Sequence, residues 1–183
     1  MIRFLIFLLG FFMVSEGGVI FAPPSFSAAR MATEVIVRVT SKDAKVIGSG
    51  VGGAFVRIRN LETGEVLAQG KQLGGTGDTD RLMIQPHRRG ERIYGAAGTA
   101  FFRAEIPLEK PTQVEISAEA PLGYPHAIQK GSKTLLLIPG KDILGDGVIL
   151  ELTGLIVQAI SPLPKESLKR GEEVTVRVEV RML

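Results

Sequence analysis

An antiparallel β-sandwich of nine or so short strands is the fold this sequence predicts, and three observations predict it. Apolar and polar residues alternate with a period of two in one stretch after another, as in strands buried on a single face. Glycine and proline clusters separate those stretches at short intervals, as turns do in sandwiches. No amphipathic helix of ordinary length follows the first 29 residues, and the only helical candidate is a single turn at 164–169.

Met1, Ile2 and Arg3 precede an unbroken apolar run at 4–14, the short charged and longer apolar parts of a secretory signal. Ser27, Ala28 and Ala29 supply small residues for cleavage, so residues 1–29 are expected to be a signal peptide. A single domain with extra C-terminal strands is then expected over 30–183. The alternative is a retained anchor. Residues 4–22 are nearly long enough to span a bilayer, but Ser15, Glu16, Gly17 and Gly18 interrupt them where a spanning helix is driest. The expected location is secreted or periplasmic.

Residues 33–40 place Val35, Val37 and Val39 on one face and form the first expected strand. Val46 and Ile47 then lead into a glycine cluster at 48–53. The clearest two-stranded unit is 53–70, GAFVRIRNLETGEVLAQG. Ala54, Val56 and Ile58 share one face, and Phe55, Arg57 and Arg59 the other. Leu61 to Gly64 make the turn, with Gly64 free to take the positive φ such loops need.

Residues 71–92 are the least regular: a glycine and aspartate loop at 74–80, a short apolar piece of Leu82, Met83 and Ile84, and a basic turn at 86–92. Long loops on a compact β domain tend to carry function, so the search for a site starts here. Alternation resumes at 99–106 with Ala100, Phe102, Ala104 and Ile106 on one face, and at 113–119 with Val114, Ile116 and Ala118 inward. Pro107 and Pro111 bracket the link between them. Residues 134–138 read as a strand buried on both faces, and 148–152 and 155–160 as two further apolar strands. The chain closes on 173–182, its most regular strand, where Val174, Val176, Val178, Val180 and Met182 alternate with polar residues.

Three stretches share a family pattern: Gly53, Val56, Ile58, Thr63 and Gly64; then Gly98, Phe101 or Phe102, Ile106 and Pro107; then Gly123 and Tyr124. Together they resemble the transthyretin-like repeats of the carboxypeptidase regulatory and collagen-adhesin B type, over roughly residues 33–152. Residues 72–98 are longer than the usual link, and 155–183 add strands beyond the repeat. The resemblance implies a prealbumin-like or immunoglobulin-like sandwich, here of about seven to ten strands. It implies a structural or binding role, usually without catalysis, and supplies no catalytic residue.

The 183 residues carry 22 Lys plus Arg against 19 Asp plus Glu, a net charge of +3 with no continuous basic stripe, so nucleic acid is not an expected partner. With no cysteine there is no disulfide, thiolate nucleophile or cysteine-based zinc site. Gly48, Gly50 and Gly53 spell a dinucleotide fingerprint, but that chemistry needs a helix opening at the third glycine, and a strand pattern follows instead. A close-packed glycine bend is the expected structure there. Ser49 has the wrong spacing for a nucleophile elbow. No enzyme and no cofactor are expected.

Asp78 and Asp80, or Asp142 and Asp146, are candidate oxygen ligands for a hard cation, though neither pair is followed by the bidentate glutamate of a full calcium loop. His87 and His126 lack metal-binding spacing. The cluster His87, Arg88, Arg89, Gly90, Glu91, Arg92 suits an anionic surface such as phospholipid or an acidic partner, although Glu91 dilutes it and such clusters are usually solvated loops. With no tryptophan, sugar-stacking faces besides phenylalanine are limited to Tyr94 and Tyr124.

The leading expectation is an exported, non-enzymatic structural or protein-binding accessory module of the cell envelope. Its partner is an envelope protein or a second copy, met through an edge strand or a loop-borne contact surface. Strands 33–40 and 173–182 are the expected edges, with Arg88, Arg89, Arg92, Arg177 and Arg181 as candidate contact residues. Membrane contact is expected only through the N-terminal segment if it stays uncleaved. The alternative is a periplasmic carrier of a small ligand or metal ion, with Asp78, Asp80 and His87 of the 74–92 loop as ligands.

Overall fold

The computed structural model describes residues 31–42, 45–163 and 165–183. The leader assigned to 1–29, with its cleavage site, lies outside the described residues.

Two sheets form a β-sandwich. One has three strands in the order β4-β1-β7: β1 is Met31–Ser41, β4 Phe102–Leu108 and β7 Ile143–Leu152. The other has four, in the order β3-β2-β5-β6: β2 is Ala54–Asn60, β3 Val66–Gln72, β5 Thr112–Ala120 and β6 Gln129–Leu137. The alternating residues supply the core. Val35, Val37 and Val39 of β1 meet Ala54, Val56 and Ile58 of β2 and Val114, Ile116 and Ala118 of β5, all buried. Phe102, Ala104 and Ile106 of β4 join them, on the face their spacing predicted.

The hairpin at 53–70 forms as expected. β2 and β3 pair antiparallel from Ala54↔Gln72 to Arg59↔Val66, and Gly64 closes the turn at φ 75°. Asn60 stabilises that turn, its side chain accepting from the Glu62 N–H at 2.8 Å. The glycine cluster is a bend, as expected: Ser49–Val51 is one turn of 3-10 helix, capped by Gly52 at φ 88°. A Cβ on Gly52 would lie 2.1 Å from the Gly123 nitrogen, so the bend requires glycine for both conformation and space.

Several expectations need correction. β1 is no edge but the central strand of its sheet, and its pairing with β7 is parallel, unlike the other strand pairs. A parallel neighbour requires a crossover, supplied by the passage through β5 and β6 in the other sheet. β4 continues through Pro107, which an edge strand tolerates because one side of its backbone has no ladder to complete. β6 is buried on one face only: it lies at a sheet edge, Leu137 points inward and Leu136 is exposed. The only α-helix among the described residues is α1, Thr79–Met83, inside the loop expected to be irregular. The Asp78 carboxylate caps it, accepting the Arg81 N–H at 3.1 Å. Residues 165–169 form no helix.

The strand expected at 173–182 forms only as β9, Arg177–Met182, and its valines enter no core. It pairs with β8, Leu155–Ser161, in a two-stranded antiparallel ribbon outside both sheets.

Candidate functional site

Two features stand out on the surface of the sandwich: the loop between β3 and β4, and the β8–β9 ribbon.

The loop is fastened to the outer face of the three-stranded sheet. Arg38 of β1 falls on the polar side of the alternation, yet it is buried beneath the loop. One guanidinium nitrogen, Nη1, donates to the carbonyls of Gly145 and Asp146, each at 2.7 Å. Nη2 reaches the Tyr94 carbonyl at 3.4 Å. The Asp146 carboxylate completes the fastening, accepting the N–H groups of Ile93 at 2.9 Å and Tyr94 at 3.0 Å. The Arg38 guanidinium also lies over the rings of Phe101 and Tyr94, 5.6 and 5.9 Å from their centroids. Burial lowers the guanidinium from its ordinary pKa, and the Asp146 and Tyr94 charges oppose that lowering. Burial raises the Tyr94 phenol, reinforced by Glu151 and Asp146. Buried charge is held here by backbone dipoles, which suits a structural clamp.

Beyond the clamp the loop makes a small lobe. Arg81 Nη2 pairs with Glu91 Oε1 at 2.6 Å, the Arg88 N–H donates to Glu91 Oε2 at 3.2 Å, and His87 Nε2 lies 2.6 Å from the Arg81 carbonyl. The Arg88 N–H bond, followed by the one from Arg81, holds the Glu91 carboxyl below its ordinary pKa.

The expected metal ligands are placed otherwise. Asp78 is used as the helix cap, Asp80 is exposed and His87 is turned to a carbonyl. Among the described residues no three His, Asp or Glu side chains converge on one point. Asp142 and Asp146 are likewise engaged by backbone: Asp142 Oδ1 accepts the Glu34 N–H at 2.8 Å. His126 stacks edge-on against Tyr124. Ser49 accepts the Gly74 N–H at 2.9 Å.

Of the expected contact arginines, Arg88, Arg89 and Arg92 are each exposed on the lobe, and no ion pair engages them among the described residues. Arg177 stands apart on β9. Arg181 is engaged, paired with Glu179 and donating to the Tyr124 hydroxyl at 3.2 Å. Sequence reasoning missed the Arg38 clamp. Its signal was a lone cation among the valines of 33–40, which alternation alone assigned to solvent.

The ribbon is anchored at its base. Ile156 and Leu183 are buried, and the Leu183 N–H donates to the Gly154 carbonyl at 2.9 Å. From there Leu155 faces Met182, Val157 faces Val180 and Ala159 faces Val178 across the two strands. These six side chains make one uncharged face, and its five large members are each 51–57% exposed. The opposite face carries Gln158, Glu179, Arg177 and Arg181 together with the buried Ile156 and the exposed Ile160. Met182 also borders a cleft of about 250 Å³ with Lys45, Val46, Gly50 and Thr76. A second cleft of about 270 Å³ lies between β3 and β4, lined by Asn60, Glu65, Pro107 and Lys110 among others.

The fold and these surfaces define the class: a β-sandwich with a clamped loop and a projecting ribbon. No protein family, curated protein or solved structure matches the chain.

Proposed function

We propose that this protein is an exported, non-catalytic β-sandwich of the cell envelope that binds a protein partner, or a second copy of itself, through the β8–β9 ribbon. The observation that carries the reading is the uncharged ribbon face of Leu155, Val157, Ala159, Val178, Val180 and Met182. A two-stranded ribbon is marginal in water by itself. Its exposed apolar area is on the order of 400 Å², comparable to the largest apolar patch of a typical monomer, which is often functional. Both outer edges of the ribbon also lack a strand neighbour among the described residues, leaving backbone donors and acceptors for strand addition. The transthyretin-like resemblance and the signal-like leader support the same reading: a binding module outside the cytoplasm.

The test is a double substitution, Val178→Asp with Val180→Asp. Neither side chain contributes to the core, so the melting temperature is expected to stay unchanged. Co-purification with the envelope partner, or self-association by light scattering, is expected to be lost. A variant that assembles as the native protein does would overturn the proposal.

A further inference from the structure

We propose that the loop lobe at 81–92 is a docking site for an anionic lipid surface, independent of the ribbon. Ile84 is 75% exposed, more than any other large apolar side chain among the described residues, and its neighbour Met83 is also exposed. A scattered apolar residue on a surface means little, but this pair lies between Arg81 and the 88–92 arginines in the chain. Across 78–92 the lobe holds Arg81, Arg88, Arg89 and Arg92 against Asp78, Asp80 and Glu91. Asp78 caps α1, and Glu91 is taken up by Arg81 and the Arg88 N–H, which leaves Asp80 as the one exposed acid there not engaged as a cap or in an ion pair among the described residues. Three arginines are thus left for an external anion. Guanidinium groups suit phosphate because they present paired donors.

The two kinds of side chain together fit an interface where apolar groups enter the acyl boundary beside phosphate headgroups. A soluble polyanion satisfies the arginines and leaves Ile84 and Met83 in water. The lobe is also ordered before it binds: the Ile84 N–H donates to the Asp80 carbonyl at 2.9 Å, and the Asp146 and Arg38 clamp holds the strap behind it. Preordering lowers the entropic cost of docking. The structure thus joins the exposed pair Met83 and Ile84 to the 87–92 cluster that the sequence already marks as suited to an anionic surface.

The chain contains no tryptophan, so Ile84→Trp introduces a single fluorophore that reports on the lobe itself, whatever the leader does. The full chain carrying this substitution is mixed with vesicles of phosphatidylcholine, with or without phosphatidylglycerol. A blue shift is expected only with phosphatidylglycerol, reversed by added salt. Replacing Arg88 and Arg89 by Gln in that background is expected to weaken partitioning roughly thirty-fold, about five-fold for each cation. Three results would each overturn the proposal: no shift with phosphatidylglycerol, an equal shift on phosphatidylcholine alone, or a shift that survives the arginine replacements. The first, joined to Arg88-dependent binding of an acidic protein, would assign the lobe to a protein partner instead.

Discussion

Loss of the Gln72 side chain should destabilise the sandwich measurably. That side chain is fully buried at the end of β3 and reaches across to the other sheet. Its Oε1 accepts the Val39 N–H at 2.8 Å, while Nε2 donates to the carbonyls of Val39 and Ile47, both at 2.9 Å. The position explains the need. β4 pairs with β1 only as far as Val37, so beyond that point the amide of Gln72 takes the place of a strand. In Gln72→Leu the Val39 carbonyl keeps its bond from the Ile47 N–H, but the Val39 N–H and the Ile47 carbonyl lose the Gln72 bonds. At about 1–3 kcal/mol for each buried group left unpaired, less the gain from an apolar side chain, the net loss is about 3 kcal/mol. For a domain of this size that lowers the melting temperature by roughly 6–12 °C. Urea unfolding followed by circular dichroism gives the free energy directly, and an unchanged slope shows that the unfolded state is the same. A loss below about 1 kcal/mol would refute the reasoning, since buried groups deprived of partners cost at least that much.

Other consequences of the structure are equally measurable. Asp146→Ala removes both acceptors from the Ile93 and Tyr94 N–H groups; a local loss of about 2 kcal/mol should raise hydrogen exchange there roughly thirty-fold and leave β5 amides unchanged. Gly52→Ala combines an unfavourable φ with a Cβ lying 2.1 Å from the Gly123 nitrogen, and should cost about 2–4 kcal/mol in denaturant unfolding. The 88–91 turn should depend on pH with a definite sign. Because the folded Glu91 carboxyl is held below its ordinary value, its contribution is complete above the usual glutamate pKa of about 4.3 and is lost as the pH falls through the lowered value. Nuclear magnetic resonance of the Arg88 amide should therefore titrate below that pH.

What could be read from the sequence followed the range of the interaction. The β2–β3 hairpin was legible because strand, turn and strand are contiguous: alternation set the buried face, and Thr63 and Gly64 marked the turn. The inward faces of β4 and β5 were legible for the same reason. Sheet order was not. β1 was read as an edge because it comes first in the described chain, but its neighbours β4 and β7 lie far along the sequence, and only tertiary pairing makes it central. Arg38 shows the same limit at the site, since alternation fixes which side a residue takes and not whether a distant loop covers it. The valines of 173–182 show the converse. Val178, Val180 and Met182 do line one apolar face of β9, over which no protein surface among the described residues closes, while Val174 and Val176 precede the strand. The α1 helix is too short for a period to register, and its only local sign was Asp78 as a cap.

The proposed role of the ribbon is tested most directly by the accessibility of its apolar face in the cell envelope, where the proposal places the protein. The chain has no cysteine, so Val180→Cys places a single thiol on that face, and Thr63→Cys on the exposed β2–β3 turn serves as the reference. Alkylation rates are then compared between intact envelope and purified protein. The ribbon thiol should be labelled much more slowly in the envelope than in the purified chain, while the turn thiol is labelled alike in both. Equal labelling of the ribbon thiol in both settings would mean that nothing covers the ribbon, and would contradict the proposed function.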